Sequence, residues 1–180
     1  MNLEFRNLQQ KVDRYKQVLD NTQSYRNVWV ESLNQKILDQ LNYIVGQVGL
    51  DAEVEVRAEL DNLEAIILSL GTVHSGMSHR VNDRIRRQLI KHNGSLVYQQ
   101  LFNGKVMVLI QYPFIENYGE AKVPKTVGIY RPEELKDPFF LRHVEEFLQE
   151  VTLWEDYDDD EPHQKIGFQL NFGAVAGDEE

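Results

Sequence analysis

Apolar and polar residues follow two different periods along the chain, and each period predicts a type of element. Four short runs of alternating or continuous apolar residues, bounded by turn-forming residues, predict β-strands. These runs are residues 53–60, 63–70, 95–102 and 105–112. Asn103-Gly104 joins the last two runs and Asp61-Asn62 the first two. Because an Asn-Gly pair favours the positive φ angles of a type I′ turn, we predict a β-hairpin at Asn103-Gly104. Asp61-Asn62 is predicted to be the tight turn of the other hairpin.

Apolar residues spaced three and four apart predict helices in other parts of the chain. One helical segment is expected to end near Val48, where Gly46 and Gly49 are typical of a helix C-terminus. A middle helix is predicted between Ser78 and 92–94. Its buried stripe consists of Val81, Ile85 and Leu89.

A last helix is predicted after Pro132 and ends near Trp154. Its wide apolar stripe consists of Phe140, Val144, Phe147, Leu148 and Val151. Two further short strands are predicted, one at 126–130 and one near the C-terminus. The alternating residues of the C-terminal strand are Ile166, Phe168, Leu170 and Phe172.

Two segments of the chain resemble each other. Residues 33–41 (LNQKILDQL) and 81–89 (VNDRIRRQL) are identical at four positions, and each precedes a predicted hairpin. The match indicates an α-β-β unit used twice, at 33–70 and 81–112. Chance similarity between two amphipathic helices of the same period is the alternative explanation.

These elements predict an α+β fold. It has an N-terminal helix, then duplicated α-β-β units forming an antiparallel sheet with helices packed on it, a C-terminal helix and a final short strand. The predicted organisation is an N-terminal helical extension at 1–27 and an α+β domain at 28–154. An acidic segment, the final short strand and a mobile tail follow at 155–180.

The N-terminal helix carries an apolar seam with heptad spacing. We call it the N-terminal seam, and it consists of Phe5, Leu8, Val12, Tyr15 and Leu19. Either one long helix reaches Val48, or two helices meet near Asn21. A helix of this length is marginal alone in water, so the seam must be buried against the chain's own sheet or against a second subunit. We favour a homodimer, and we expect Arg26, on the continued seam, to have an acidic or carbonyl partner.

Composition excludes several classes of protein. The absence of cysteine rules out disulfide scaffolds, thiolate zinc sites and thiol nucleophiles. No secretory signal and no bilayer-spanning apolar run are present, so we expect a cytoplasmic protein with no membrane partner. The net charge of −10 comes largely from residues 155–161, which carry six acids, and from the last three residues. This acidity argues against nucleic acid as a partner.

The sequence offers no catalytic residue, metal site or cofactor site. His74 and His79 lie close together, but zinc needs three or four convergent ligands, and His92 falls at the far end of the predicted middle helix. No phosphate loop, nucleophile elbow or metalloprotease motif is present. The spacing of the acids and histidines selects no pair for acid–base chemistry.

The predicted middle helix carries the clearest cluster of charge. On a helix, four cations fall in one row beside the apolar stripe. These candidate partner-binding residues are Arg80, Arg84, Arg87 and Lys91. Such a row is usually a solvated helix face. Two sharper interpretations stay open: the chain's own acidic segment folds onto the row, or an acidic partner docks there.

The order helix, hairpin, helix, hairpin, helix over about 29–154 resembles the α+β fold of type III secretion chaperones and their bacterial relatives. The resemblance lies in element order, chiefly over 80–154, and it implies a homodimer with a non-catalytic surface that binds another polypeptide. We therefore hypothesise a non-enzymatic protein-interaction module of the adaptor or chaperone type. The alternative is a small-molecule-binding protein or enzyme, with a pocket near His74, His79 and Arg80 and the loop at 114–125.

Overall fold

The computed structural model describes residues 3–157, and its helical part begins with one continuous run. Helix α1 (Leu3–Val28) passes through a π-helical turn (Trp29–Leu33) into α2 (Asn34–Val48). Gly49 ends the run in the left-handed conformation, with φ 64°, which costs glycine little. A 3-10 turn (Pro132–Glu134) precedes α3 (Asp137–Glu155). Of the two interpretations of the N-terminal pattern, one long helix is therefore correct.

In the part of the chain that the structure describes, the strands form two antiparallel sheets. The strands are β1 (Glu53–Arg57), β2 (Ala65–Ser69), β3 (Thr72–Arg80), β4 (Arg86–His92), β5 (Ser95–Gln100), β6 (Val106–Gln111), β7 (Phe114–Ile115) and β8 (Lys125–Tyr130). The larger sheet has the order β1-β2-β5-β6-β8, and the smaller has the order β3-β4-β7. Three strands of the larger sheet continue into the smaller one. Strands β2 and β3 are joined by a bend at Gly71, with φ 71°, and β4 and β5 by a bend at Gly94, with φ 94°. Strand β7 follows β6 directly.

The helices cover one face of the larger sheet. Alternate residues of its central strands point towards α2 and α3 and are fully buried. These residues are Ile66, Leu68, Leu96, Tyr98, Val108 and Ile110. Trp29 in the π-helical turn is also fully buried, and its Nε1 donates to a carboxylate oxygen of Glu64 at 2.8 Å. Burial of each large apolar side chain contributes ~1.5–3 kcal/mol, so this layer is the main source of stability.

The structure confirms the α+β fold class and the central sheet. Both predicted hairpins belong to one antiparallel sheet, because β2 pairs with β5. The strand predicted at 126–130 is β8, and Val48 ends α2 as expected. The predicted stripe of α3 faces the core, with Leu148 half-buried and the other four residues buried.

The predicted middle helix is wrong. Residues 78–92 belong to an antiparallel β-hairpin in which β3 pairs with β4. We call residues 72–92 the hairpin arm. At its tip, the Asn82 side-chain oxygen accepts the backbone N–H groups of Arg84 and Ile85 at 2.9 and 2.8 Å. Asparagine commonly closes turns in this way, which here takes the place of a helical turn.

Two of the three residues predicted to be buried on that helix are exposed. Val81 and Ile85 are 57% and 55% exposed on either side of the tip, and only Leu89 of the predicted stripe is buried. The two segments 33–41 and 81–89 therefore do not form a repeated α-β-β unit, although each hairpin that follows them is present.

The turn of the second hairpin also differs from the prediction. Gly104 has a φ of 75°, but Asn103 is not among the described residues with positive φ. The N–H of Leu101 donates to the Lys105 carbonyl, and the N–H of Gly104 donates to the Leu101 carbonyl, both at 2.8 Å. This is the three-residue loop with a left-handed glycine, not a type I′ turn. A Cβ at Gly104 would lie 2.7 Å from Cβ of Tyr25, so the turn also needs glycine for its close approach to α1.

The structure describes the first three residues of the predicted acidic segment, at 155–157. The rest of that segment, the predicted final strand and the tail fall at 158–180, outside the described residues.

Candidate functional site

The N-terminal seam lies on the first half of α1 and faces solvent. Phe5, Leu8, Tyr15 and Leu19 are 63%, 55%, 64% and 51% exposed, and Val12 is half-buried. All the other described side chains up to residue 20 are exposed as well. At ~1.5 Å per residue, the seam spans about 21 Å of helix that the described body does not cover.

The second half of α1 fixes the helix to the body. Nη2 of Arg26 donates to the carbonyl oxygen of Phe102 at 2.6 Å, so the carbonyl partner expected for this arginine is present. Thr22 and Tyr25 lie against the turn at Gly104. Because these contacts begin only at the second half, the part of the body that the structure describes positions the helix but leaves the seam accessible.

The four candidate partner-binding cations lie on the hairpin arm and not on one helix face. Arg80 ends β3, Arg84 lies in the tip, and Arg87 and Lys91 lie in β4. Nη2 of Arg80 pairs with Asp83 at 2.9 Å. Lys91 contacts Glu155 at the end of α3. The hairpin therefore places three of the cations towards the tip and Lys91 at the base.

The structure places on the surface of β3 the three basic residues beside which a pocket was predicted. His74, His79 and Arg80 are exposed on β3, and they line neither of the cavities described below. Within residues 3–157, no group of three or more histidine, cysteine or acidic side chains could hold a metal ion. Lys125, the last residue of the loop at 114–125, lines a cavity in another part of the molecule.

That cavity is a polar cleft of about 480 Å³ between β8 and α3. His143 is buried at its base, with the Tyr98 hydroxyl 2.9 Å from Nδ1 and the Tyr130 hydroxyl 3.1 Å from Nε2. Burial lowers the pKa of His143 to about 4, so the ring is neutral at pH 7. Because a neutral imidazole has one donor and one acceptor nitrogen, one tyrosine accepts from the ring and the other donates to it.

A cluster of charged groups stands beside the histidine. Nζ of Lys125 lies 2.7 Å from Glu150 and 2.9 Å from Glu146, and the Tyr112 hydroxyl donates to Glu150 at 2.6 Å. The hydrogen bonds to Glu150 and Glu146 raise the pKa of Lys125. Burial alone would raise the pKa of Glu150, but the hydrogen bonds from Lys125 and Tyr112 hold it below its ordinary value. Burial and the Glu150 bond raise the pKa of Tyr112 to about 12.

The histidine and the lysine of the cleft both have side-chain partners. Both nitrogens of His143 already have tyrosine partners, and Lys125 is shared by two carboxylates. The network ties β5, β8 and the residue that follows β6 to α3. It was not predicted from the sequence. The available signal was that His143 stands three residues after Phe140, on the buried stripe of α3, where a polar side chain needs a buried partner.

A second apolar cluster lies on the face of the larger sheet opposite the helices. Ala65, Ile67 and Val97 are buried there, and Leu109 packs against them. A cavity of about 250 Å³ is lined by this cluster and by residues of the β1–β2 loop, including Leu63. Antiparallel sheets often keep one solvated face, so this groove by itself identifies no ligand.

Comparisons of the chain with protein-family models, with curated proteins and with solved structures gave no match. Among the described helices, none combines the length and the apolar character that a membrane span requires. The surfaces and cavities of the molecule itself are therefore the basis for a functional proposal.

Proposed function

We propose that this protein is a non-enzymatic protein-interaction module of the adaptor or chaperone type, and that α1 pairs with α1 of a second copy to form a homodimer. The observation that carries the proposal is the exposure of the N-terminal seam. Four of its five side chains are more than half exposed, on a helix whose contacts with the described body are made by its other half.

The energetics favour a partner for this seam. Each large apolar side chain removed from water contributes ~1.5–3 kcal/mol, so an uncovered seam is a substantial loss of stabilisation. Its spacing of three and four residues suits left-handed packing of two helices. A second copy presents the same seam, and a two-fold interface needs a self-complementary surface of this kind.

A polypeptide partner is proposed for the open face of the larger sheet. The helix–hairpin order that resembles secretion chaperones is interrupted in the middle of the chain by the hairpin arm, so the support for such a partner comes from the surface of the molecule. The groove beside the β1–β2 loop supports such a partner, because Leu60 and Leu63 there are 63% and 42% exposed, and an extended polypeptide can place apolar side chains against them beside a polar rim.

Charge placed in the seam tests the homodimer. We expect the wild-type chain to have twice the 21.1 kDa mass of one chain at micromolar concentration, and Leu8→Glu with Val12→Glu to have the mass of one chain. The reason is that each new carboxylate would have to be buried without a partner. Light scattering coupled to size exclusion, at several concentrations, measures both masses.

A matched control carries the same two charges on the opposite side of α1. Gln10→Glu with Gln17→Glu should leave the dimer intact, because a helix rotates about 100° per residue and these positions face away from the seam. Circular dichroism should show both double variants folded. A wild-type mass of one chain at every concentration would refute the homodimer.

A further inference from the structure

The hairpin arm carries positive charge that its own residues do not balance. Arg80 stands directly opposite Arg86 in the register of β3 and β4, and like charges in that position destabilise an antiparallel pair. Asp83 is the single acid of residues 72–92, and it pairs with Arg80. Every residue from 78 to 88 is exposed. The hairpin arm of this acidic protein therefore carries five cations and a single acid.

The base of the arm already contacts an acid from another element. Lys91 in β4 forms an ion pair with Glu155 at the end of α3, and its Nζ lies 5.6 Å from the centre of the Trp154 ring. The Lys91 side chain is only 18% exposed, so solvent and salt screen this contact less than a fully exposed pair. Glu155 is also the first of the six acids at 155–161.

The geometry of β4 extends this contact towards the tip. Side chains two or four residues apart on a strand lie on the same face, so Arg87 shares its face with Lys91 and is ~13 Å away. The six residues that follow Glu155 can span up to ~20 Å when extended. The remaining acids of the run are therefore within reach of Arg87.

We propose that the acidic run at 155–161 binds along the Lys91 and Arg87 face of the hairpin arm, within the same chain, and neutralises it. This interaction is separate from the N-terminal seam and does not depend on the homodimer. Attachment to α3 gives the run an effective concentration of order millimolar at the arm, which favours it over a dilute acidic partner. The net charge of −10 also disfavours nucleic acid as the occupant.

A spin label next to the acidic run tests the proposal in the full-length chain. Because the chain has no cysteine, Pro162→Cys provides a single attachment point for a nitroxide. We expect the amide NMR signals of residues 84–91 to lose most of their intensity at ~50 mM salt and to recover at ~500 mM, where the Debye length is much shorter. Arg87→Glu in the labelled chain should restore these signals at low salt.

A charge reversal elsewhere provides the matched control. Lys136→Glu changes an exposed cation at the other end of α3, and it should leave the signal loss unchanged. Full signal intensity at low salt, or a loss that persists in Arg87→Glu, would overturn the proposal. So would a loss that appears only when labelled chains are mixed with isotope-labelled, spin-free chains, since the run would then bind another copy. If a short oligodeoxythymidine shifts the arm signals while the label leaves them intact, the arm binds nucleic acid instead.

Discussion

Residues 33–41 and 81–89 are identical at Asn34/Asn82, Ile37/Ile85, Gln40/Gln88 and Leu41/Leu89, but they occupy different structures. The first segment runs from the π-helical turn into α2, and the second forms the tip of the hairpin arm and half of β4. A similar pattern of apolar residues is therefore compatible with a buried helix and with an exposed hairpin.

The difference lies in what surrounds each segment. Leu33, Ile37 and Leu41 are all buried in the core, so the helical period is stabilised by a partner surface along its whole length. In the arm, β3 pairs with β4, and the turn at Asn82 places Val81 and Ile85 on either side of the tip, in solvent. Most helical stability in proteins comes from packing of the apolar face, and in the second segment Val81 and Ile85 of that face are exposed.

Substitution of the two matched isoleucines is the strongest test of this contrast. Ile37→Asp would bury an unpaired carboxylate in the core, and we expect it to cost ~4 kcal/mol or more and to reduce soluble yield sharply. Ile85→Asp, at the exposed tip, should change the free energy of unfolding by about 0.5 kcal/mol or less. Urea unfolding measures both, and similar losses for the two variants would contradict the different burial of the two segments.

A pH titration contrasts the buried body with the arm in a second way. The pKa of His143 is lowered to about 4 in the folded chain, against ~6.5 for an unfolded histidine. The unfolded state therefore binds the proton first, so stability falls as the pH decreases from ~6.5 towards 4, by up to ~3 kcal/mol. His143→Gln should remove this slope between pH 4.5 and 6.5 while keeping a polar side chain. His79→Gln, on the exposed arm, should retain it, and a retained slope in His143→Gln would assign the effect to another group.

Substitutions of the matched asparagines should have smaller effects than those above, with the larger of the two at the tip of the arm. Asn82→Ala removes both hydrogen bonds that close the tip, and we expect amide hydrogen exchange at Arg84 and Ile85 to become roughly fivefold faster, which is about 1 kcal/mol of local stability. Asn34→Ala, in α2, removes the hydrogen bond that the Asn34 side-chain oxygen accepts from the Gln35 N–H at 2.6 Å, but alanine is the better helix former, so we expect a net change within ~0.5 kcal/mol. Equal effects on exchange near the two sites would argue against a turn-closing role for Asn82.

Much of the body was predictable from local pattern because pattern and burial agree there. Residues of β6 and α3 alternate or recur with the period of the element, and residues of α3 predicted to face inwards, such as Phe140 and Phe147, are buried. The arm was not predictable in this way, since Leu89 is its single buried apolar residue in the structure. Its conformation depends on strand pairing and on one asparagine side chain.

The residues of the candidate sites differ in the same way: some follow from local sequence pattern and others are brought together only by packing. The spacing of the N-terminal seam identified its residues, because a heptad is a local property of the sequence. The cleft between β8 and α3 brings together Tyr98, Tyr130 and His143, which are distant in sequence and meet only through packing. No local pattern links such residues.

The sequence by itself determined the α+β class, the helical N-terminus with its apolar seam, both hairpins of the central sheet and the inward face of the last helix. Each of these follows from the period of apolar residues or from turn-forming residues between the periodic segments. Tertiary structure alone decided that 81–89 is a hairpin, that the described body leaves the seam uncovered and that His143 is buried between two tyrosines. The physical reason is that burial and strand pairing are interactions between distant segments, and local preferences of ~1 kcal/mol or less per residue yield to them.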